Sequence, residues 1–250
     1  MRRRHELSDE QWERIIPFLP AEGGRRGRPA KPNRIVVNGI LWVLRTGAPW
    51  RDLPSCYGSW NTVYSRFRRW TQRGVWVHVF EELSKDVDGE TFMLDATIVR
   101  AHQDASGASK KMGSQAIGHS RGGPTTKIHA RVDALGNPCL LVLTEGQTND
   151  ITQTETLVAG IRGAFIIADK GYDSKKVIEL IESLGCVPVI PARKCSSPRT
   201  IDWHLYKERA LVECFFQKIK RNRRIAMRFE KLAVHFLAMV MLAALLVWLA

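Results

Sequence analysis

No two of the five cysteines form a C-x-x-C pair and their number is odd, so neither a disulfide framework nor a zinc cluster is expected. That usage suits a reducing cytosol. No G-x-x-x-x-G-K-[ST] loop occurs either, which excludes a P-loop for nucleoside triphosphates. The N-terminal MRRRHELSDEQ carries charge with no apolar run behind it, and a secretory signal is not expected. The one long apolar run is LAVHFLAMVMLAALLVWLA, residues 232–250. As a helix rising ~1.5 Å per residue, its part beyond His235 reaches only ~22 Å, against a hydrocarbon thickness of ~30 Å. A helix buried in the core or a subunit interface is expected, and no membrane partner.

Acids are scarce relative to bases: 25 Asp and Glu against 38 Lys and Arg give a net charge of +13. The imbalance sits at the two ends. Residues 1–84 hold 15 bases and 8 acids, residues 85–205 hold 14 of each, and residues 206–250 hold 9 and 3. A polyanion gripped at both ends, with carboxylates gathered between, fits that distribution.

The pattern divides the chain into an N-terminal helical unit, 1–85, and an α/β unit, 86–250. Ser8 and Gln11 make a capping box for a helix whose Trp12, Ile15, Ile16 and Leu19 share one face. AEGGRRGRPAKP (21–32) interrupts, and its RGRP resembles a short minor-groove hook. A second helix follows from Asn33 to about Gly47. A third starts at Ser59, with Trp60, Val63, Tyr64, Phe67 and Trp70 on one face and Thr62, Ser65, Arg66, Arg69 and Arg73 on the other. One apolar and one basic-hydroxyl face suit a helix-turn-helix reader of DNA.

From residue 90 strands and helices alternate. TFMLDATIVRA, TKIHARVDA, PCLLVLTEG, AFIIADKG and CVPVIPAR read as five strands, with helices at 151–161 and 174–184. Three strands in succession and then helix, strand, helix, strand, helix predict a mixed five-stranded sheet flanked by helices, in the order of ribonuclease H-like domains. The segment 103–127 is too long and too rich in Gly, Ser, Lys and Arg for a connector. It is a candidate nucleic-acid clamp, with Arg121 and Lys127 its candidate contacts.

Asp95 stands inside the apolar run FMLDATIV, and Asp169 directly follows FIIA. Asp is disfavoured in strands, and a buried carboxylate without compensation is costly. Asp133, Asp150 and Asp173 read instead as turn and cap residues. Two carboxylates brought together at strand ends need a cation between them, and oxygen-only ligands suit Mg²⁺ or Mn²⁺. A third acid is available in RALVECFFQKIKRNRR (209–224), which holds six bases and only Glu213 as an acid. Helical spacing puts Tyr206, Arg209, Glu213 and Lys220 on one face, beside an apolar face of Leu211, Val212, Phe215 and Ile219.

These residues carry a resemblance. LSDEQWERIIPFLP, NGILWVLRTGAPWRDLP, the LDAT around Asp95, SRGGPTTKIHA, the ADKGYD around Asp169, and the Y-x-x-R-x-x-x-E-x-x-x-x-x-x-K of Tyr206, Arg209, Glu213 and Lys220 resemble a bacterial insertion-sequence DDE transposase of the insertion-sequence-five family. The resemblance implies a ribonuclease H-like fold with Asp95, Asp169 and Glu213 as metal-binding catalytic residues for two Mg²⁺ or Mn²⁺ ions. It implies that Tyr206, Arg209 and Lys220 organise the site and contact DNA. It implies double-stranded DNA as partner, a homodimer or larger synaptic assembly, and a cytoplasmic protein at the nucleoid. A transposase-derived regulator that binds DNA without cutting it, and a structure-directed nuclease of the same fold, are the competing expectations.

Overall fold

A computed structural model describes residues 3–22, 31–108, 113–194 and 199–250. The RGRP stretch and part of the basic loop lie outside these. The N-terminal helices are α1 (Asp9–Ile15), α2 (Asn33–Thr46), α3 (Trp60–Gln72) and α4 (Val75–Leu83). The capping box forms: Ser8 Oγ accepts from the Gln11 amide at 3.1 Å, and Gln11 Oε1 accepts from the Ser8 amide at 3.0 Å. Helix α2 stops at Gly47, which adopts φ of 72°. A β-carbon there would stand 2.9 Å from Arg223 Cβ, so glycine serves both the left-handed turn and a close approach of the C-terminal segment.

The sheet contains the five expected strands, β1 (Thr91–Ala101), β3 (Gly123–Asp133), β4 (Pro138–Glu145), β5 (Phe165–Ala168) and β6 (Val187–Val189), plus two short additions, β2 (Gly118–Ser120) and β7 (Met227–Arg228). Antiparallel pairing joins β1 to β3 and β3 to β4, while β5 pairs parallel to β1 and β6 parallel to β5. The spatial order β4-β3-β1-β5-β6 is ribonuclease H-like. The basic segment 103–127 is therefore not one loop: β2 and the start of β3 lie within it, and β2 pairs antiparallel with β3.

Helices α5 (Thr154–Val158) and α6 (Lys175–Ser183) cover one face; α7 (Trp203–Tyr206), α8 (Ala210–Lys220), α9 (Arg223–Ala226) and α10 (Ala233–Trp248) complete the chain. Two of the expected caps differ. Asn149 caps the turn before α5 and Ser174 caps α6. Asp150 instead pairs with Lys127 at 2.7 Å, and Asp173 accepts from the Arg193 amide at 2.7 Å and from Arg199. Asp133 does hold the hairpin turn, accepting from the Leu135 and Asn137 amides at 3.0 and 2.7 Å.

Strand alternation sorts the core into two layers. Phe92, Leu94, Ile166 and Ala168 pack with α5 and α6, whereas Met93, Ile128, Ala130, Val132 and Ile167 pack with α8 and α10. The second layer continues without a break into α1 to α4: Leu7, Val36, Phe67, Trp76 and Phe80 belong to the same buried cluster. Helix α10 is apolar on nearly every side because it is covered on nearly every side, by α2, α3, α4, α8 and β4. Trp248 Nε1 donates to Pro138 O at 2.9 Å, joining its last turn to β4. Among the described residues no helix is long and apolar enough to cross a membrane.

Phe236 on α10 is fully buried, with the Arg228 guanidinium 5.1 Å from its ring centre. Phe236→Ala is expected to cost about 3–5 kcal/mol. Because one core spans the N-terminal helices and the sheet, urea unfolding followed by tryptophan fluorescence and by far-ultraviolet circular dichroism should give coincident midpoints. A separate transition for the N-terminal helices would refute the shared core.

Candidate active site

The parallel register pairs Leu94 with Ala168, so Asp95 and Asp169 follow at the next rung of two adjacent strands. Met93 and Ile167 face α8, and period-2 alternation sends Asp95 to that same side. Asp169 caps the turn after β5: its Oδ1 accepts from the Gly171 amide at 2.8 Å. A β-carbon on Gly171 would lie 2.7 Å from that oxygen. The glycine of the D-x-G-Y motif is thus set by the carboxylate two residues before it.

Helix α8 is seated on the sheet by Val212, Phe215, Phe216 and Ile219, all buried. This leaves Glu213 half-exposed on the flank. Lys220, one helical face along, donates from Nζ to Thr97 Oγ1 at 2.6 Å and to Ile98 O at 3.1 Å. Its burial lowers its pKa. Lys220 therefore ties the end of α8 to β1 two residues beyond Asp95, and Thr97 is its partner in doing so. The i, i+7 spacing on the helix could not reveal Thr97, because that contact crosses 123 residues of sequence.

Arg209 lies between the acids. Its Nη1 is 3.2 Å from Asp95 Oδ2, and its Nη2 is in ion-pair contact with Glu213 Oε1. Tyr206 stands one turn earlier, its ring edge-on to Trp203 at 5.6 Å; burial acts to lower the Arg209 pKa, but the bond and charge of Glu213, then Asp95 and Tyr206, raise it on balance. Burial pushes the Asp95 carboxyl up to about 6, against the Ala96 amide and Arg209 which lower it; Asp169 and Glu213 push it further up. Asp95 therefore senses the charge of both other acids, and one guanidinium spans Asp95 and Glu213. Among the described residues no three His, Cys, Asp or Glu side chains are drawn together as a ready metal cluster.

The residues expected to touch DNA divide into two groups. Arg69 and Arg73 are exposed on and after α3, and Arg121 is exposed on the turn between β2 and β3. Arg66, half-exposed, and Lys127, buried, are both hydrogen-bonded within the chain. Arg66 Nη1 donates to Lys31 O at 2.8 Å and Asn33 Oδ1 at 3.0 Å, and its guanidinium lies 5.7 Å from the Trp70 ring centre. Lys127 donates to Thr148 O at 2.6 Å and pairs with Asp150. The helix-turn-helix expectation also meets a longer link than a tight turn: residues 47–59 separate α2 from α3 and include two short 3₁₀ turns.

Known proteins resemble the chain on both sides of residue 85. Residues 7–80 match the family described as "Putative transposase of IS4/5 family", and residues 87–248 match the "Transposase DDE domain". The chain is 45% identical over 130 residues to the "Putative transposase for insertion sequence element IS6501" of Brucella ovis, covering 50% of this chain and 98% of that protein. It is 31% identical over 125 residues to the "Putative transposase for insertion sequence element IS402" of Burkholderia cepacia, covering 45% of this chain and 57% of that protein. Among solved structures, a piggyBac transposase synaptic complex with hairpin DNA is similar in fold, with a TM-score of 0.55 at 12% identity over 94% of this chain and 71% of that one. A ribonuclease H-like sheet, acids within β1, just after β5 and on α8, and two family matches that together span most of the chain have one reading: the chain belongs to the DDE transposases of the IS4/5 family and is a DNA transposase.

Proposed function

We propose that Asp95, Asp169 and Glu213 are the catalytic carboxylates, and that they hold two Mg²⁺ or Mn²⁺ ions. Divalent-metal dependence is general in this family. The donor set fits: three oxygen-only ligands suit hard octahedral cations, and a carboxyl raised first by burial and then by two neighbouring acids is one that a cation would stabilise in its charged form. When bound, such ions activate the attacking oxygen and stabilise the leaving oxygen of a phosphodiester. The observation that carries the assignment is Arg209, whose single guanidinium contacts Glu213, one helical turn on, and Asp95, 114 residues earlier in the sequence.

The chain's own part is positional. Asp95, within β1, and Asp169, directly after β5, are set on adjacent strands by sheet register, which leaves little freedom in their separation. Glu213 comes from a helix and is the most exposed of the three, held by Arg209. Release of that ion pair would free both the carboxylate for cation binding and the guanidinium for a phosphate oxygen, the bidentate role arginine performs best. The bound strand would be an element end cut by water, whose new 3′-hydroxyl then attacks target DNA. Double-stranded DNA would lie across Arg69, Arg73 and Arg121, and two ends handled in register would call for a homodimer or larger assembly at the bacterial nucleoid.

The direct test is a metal-dependent cleavage and strand-transfer assay on duplexes taken from the inverted repeats flanking the gene. Asp95→Asn, Asp169→Asn and Glu213→Gln should each lower cleavage by at least about a hundredfold, the equivalent of several kcal/mol of lost charge stabilisation, while binding the duplex normally. Duplex binding without cleavage by the unmutated chain would instead identify a regulator.

The raised Asp95 pKa has two measurable consequences. Cation affinity should fall as pH drops below about 6, where a proton occupies the carboxylate. In metal-free protein, a carboxyl held near 6 when folded and near ~3.9 when unfolded disfavours folding above pH 6, and that burden fades as pH falls through the two values. Asp95→Asn should then raise the melting temperature by a few degrees at pH 7 and not at pH 4. An equal shift at both would sink the explanation.

Arg69→Ala and Arg73→Ala should weaken duplex binding and each reduce the salt slope, log Kd against log salt, by roughly 1. Lys127→Ala should leave the slope unchanged and lower thermal stability, because it removes an internal partner of Asp150.

A further inference from the structure

Parallel strands deliver their carboxyl ends to one edge of a sheet. Strand β6 runs beside β5 with Val189 opposite Ile167, so the residues just past β6 arrive next to the turn that follows Asp169. The chain continues there as Ile190, Pro191, Ala192 and Arg193. Arg193 is exposed, yet its guanidinium is bonded into that turn. Its Nε donates to Lys170 O at 2.8 Å and its Nη2 to Gly171 O at 2.5 Å. Both donors belong to one planar, rigid fork, which suits two acceptors pointing the same way. Successive carbonyls of a 3₁₀ turn, here Lys170–Tyr172, point toward its C-terminal end and meet that condition.

The opposite end of the same turn holds Asp169. Gly171 N–H donates to Asp169 Oδ1 at 2.8 Å, and Tyr172 N–H donates to Asp169 O at 3.0 Å. Lys170 O and Gly171 N are parts of one planar peptide group, and Gly171 O and Tyr172 N are parts of the next. Each of these two groups therefore has Asp169 at its N–H and Arg193 at its C=O. Hydrogen bonds linked in this way polarise one another. The guanidinium thus fixes the plane of each amide and strengthens the N–H that reaches Asp169.

Arg193 is anchored in turn. Its own amide donates to Asp173 Oδ2 at 2.7 Å, and Asp173 Oδ1 accepts from Arg199 Nη2. The Asp173 side chain is 1% exposed, and its amide closes the turn by donating to Lys170 O at 3.2 Å. The backbone from which the Arg193 side chain departs is therefore set by a buried carboxylate.

We infer that Arg193 is a positioning residue for the Asp169 carboxylate, acting through the Lys170–Gly171 and Gly171–Tyr172 peptide groups. This role presupposes that Asp169 is a catalytic carboxylate, as proposed above, and adds a residue outside the three acids and the Tyr206, Arg209 and Lys220 face. Groups that orient a carboxylate ligand from behind are typically worth roughly 10- to 100-fold in metal affinity or activity.

The experiment uses the full chain and a duplex from the inverted repeats flanking the gene. It reads amide hydrogen exchange at Gly171 and Tyr172 in metal-free protein, cleavage against Mg²⁺ concentration, and duplex affinity against salt. Arg193→Ala should speed both amides by about tenfold and raise the Mg²⁺ concentration at half-maximal cleavage by about tenfold. Duplex affinity and its salt slope should not change. Arg193→Lys keeps the charge but not the fork, and should behave as Arg193→Ala does. Methylguanidinium added to Arg193→Ala supplies the missing donors and should return both exchange and cleavage toward those of the unmutated chain, a rescue that a misfolded variant cannot show. Unchanged exchange at Gly171 and Tyr172, or failure of methylguanidinium to restore either readout, overturns the positioning role. So does full activity in Arg193→Lys, or an Arg193→Ala defect confined to duplex affinity with a smaller salt slope, since either outcome marks a phosphate contact. Asp169→Asn separates this inference from the assignment beneath it. Normal cleavage by Asp169→Asn removes Asp169 from catalysis, whereas an inactive Asp169→Asn beside an unaltered Arg193→Ala removes only the role of Arg193.

Discussion

A carboxylate on the central strand of a two-layered core cannot remain charged without a positive partner, and the rest of this site is arranged around that requirement. Asp95 sits where sheet register and strand alternation leave it no other position, with its carboxyl raised to about 6 mainly by burial. Asp169 arrives beside it through parallel pairing, and Glu213 through the packing of α8. Each arrival adds negative charge beside a carboxyl that burial has already raised. Arg209 answers it from within the chain, and a divalent cation answers it in the chemistry of the family.

The second consequence concerns how the ends of the molecule communicate. Arg69 lies on α3, which packs on α10; α10 packs on α8, and α8 carries Glu213. These are not two cores joined by a linker. The buried cluster from Leu7 to Leu249 is continuous, and a load applied to the α3 surface is borne by the same side chains that seat α8. Close-packed interiors transmit such displacements instead of absorbing them.

Several features were legible because local chemistry betrayed them. The five main strands follow from period-2 alternation, the capping box from Ser8 and Gln11, and Asp95 from being the wrong residue for an apolar strand. Glu213 stood out as the one acid in a basic helix. Other features were not legible for physical reasons. Strands β2 and β7, of three and two residues, are too short to carry a period. Arg66 and Lys127 look like any other exposed cation in sequence. Whether such a side chain meets solvent or a backbone carbonyl depends on contacts with residues 35 and 21 positions away. Asp150 and Asp173 were read as caps because they precede helices, yet Asn149 and Ser174, each one residue away from them, hold the caps.

By itself the sequence determined the elements, the two layers of apolar residues, and the three acids worth watching, since all of these follow from residue type and short-range spacing. Tertiary structure decided which acids meet and which cations are free to act. It put Arg209 between Asp95 and Glu213, turned Lys220 onto Thr97, and withdrew Lys127 to Asp150. Pairings of that kind depend on where distant segments pack, and electrostatic energy depends on separations of a few ångströms and on burial. No spacing along the chain encodes either quantity.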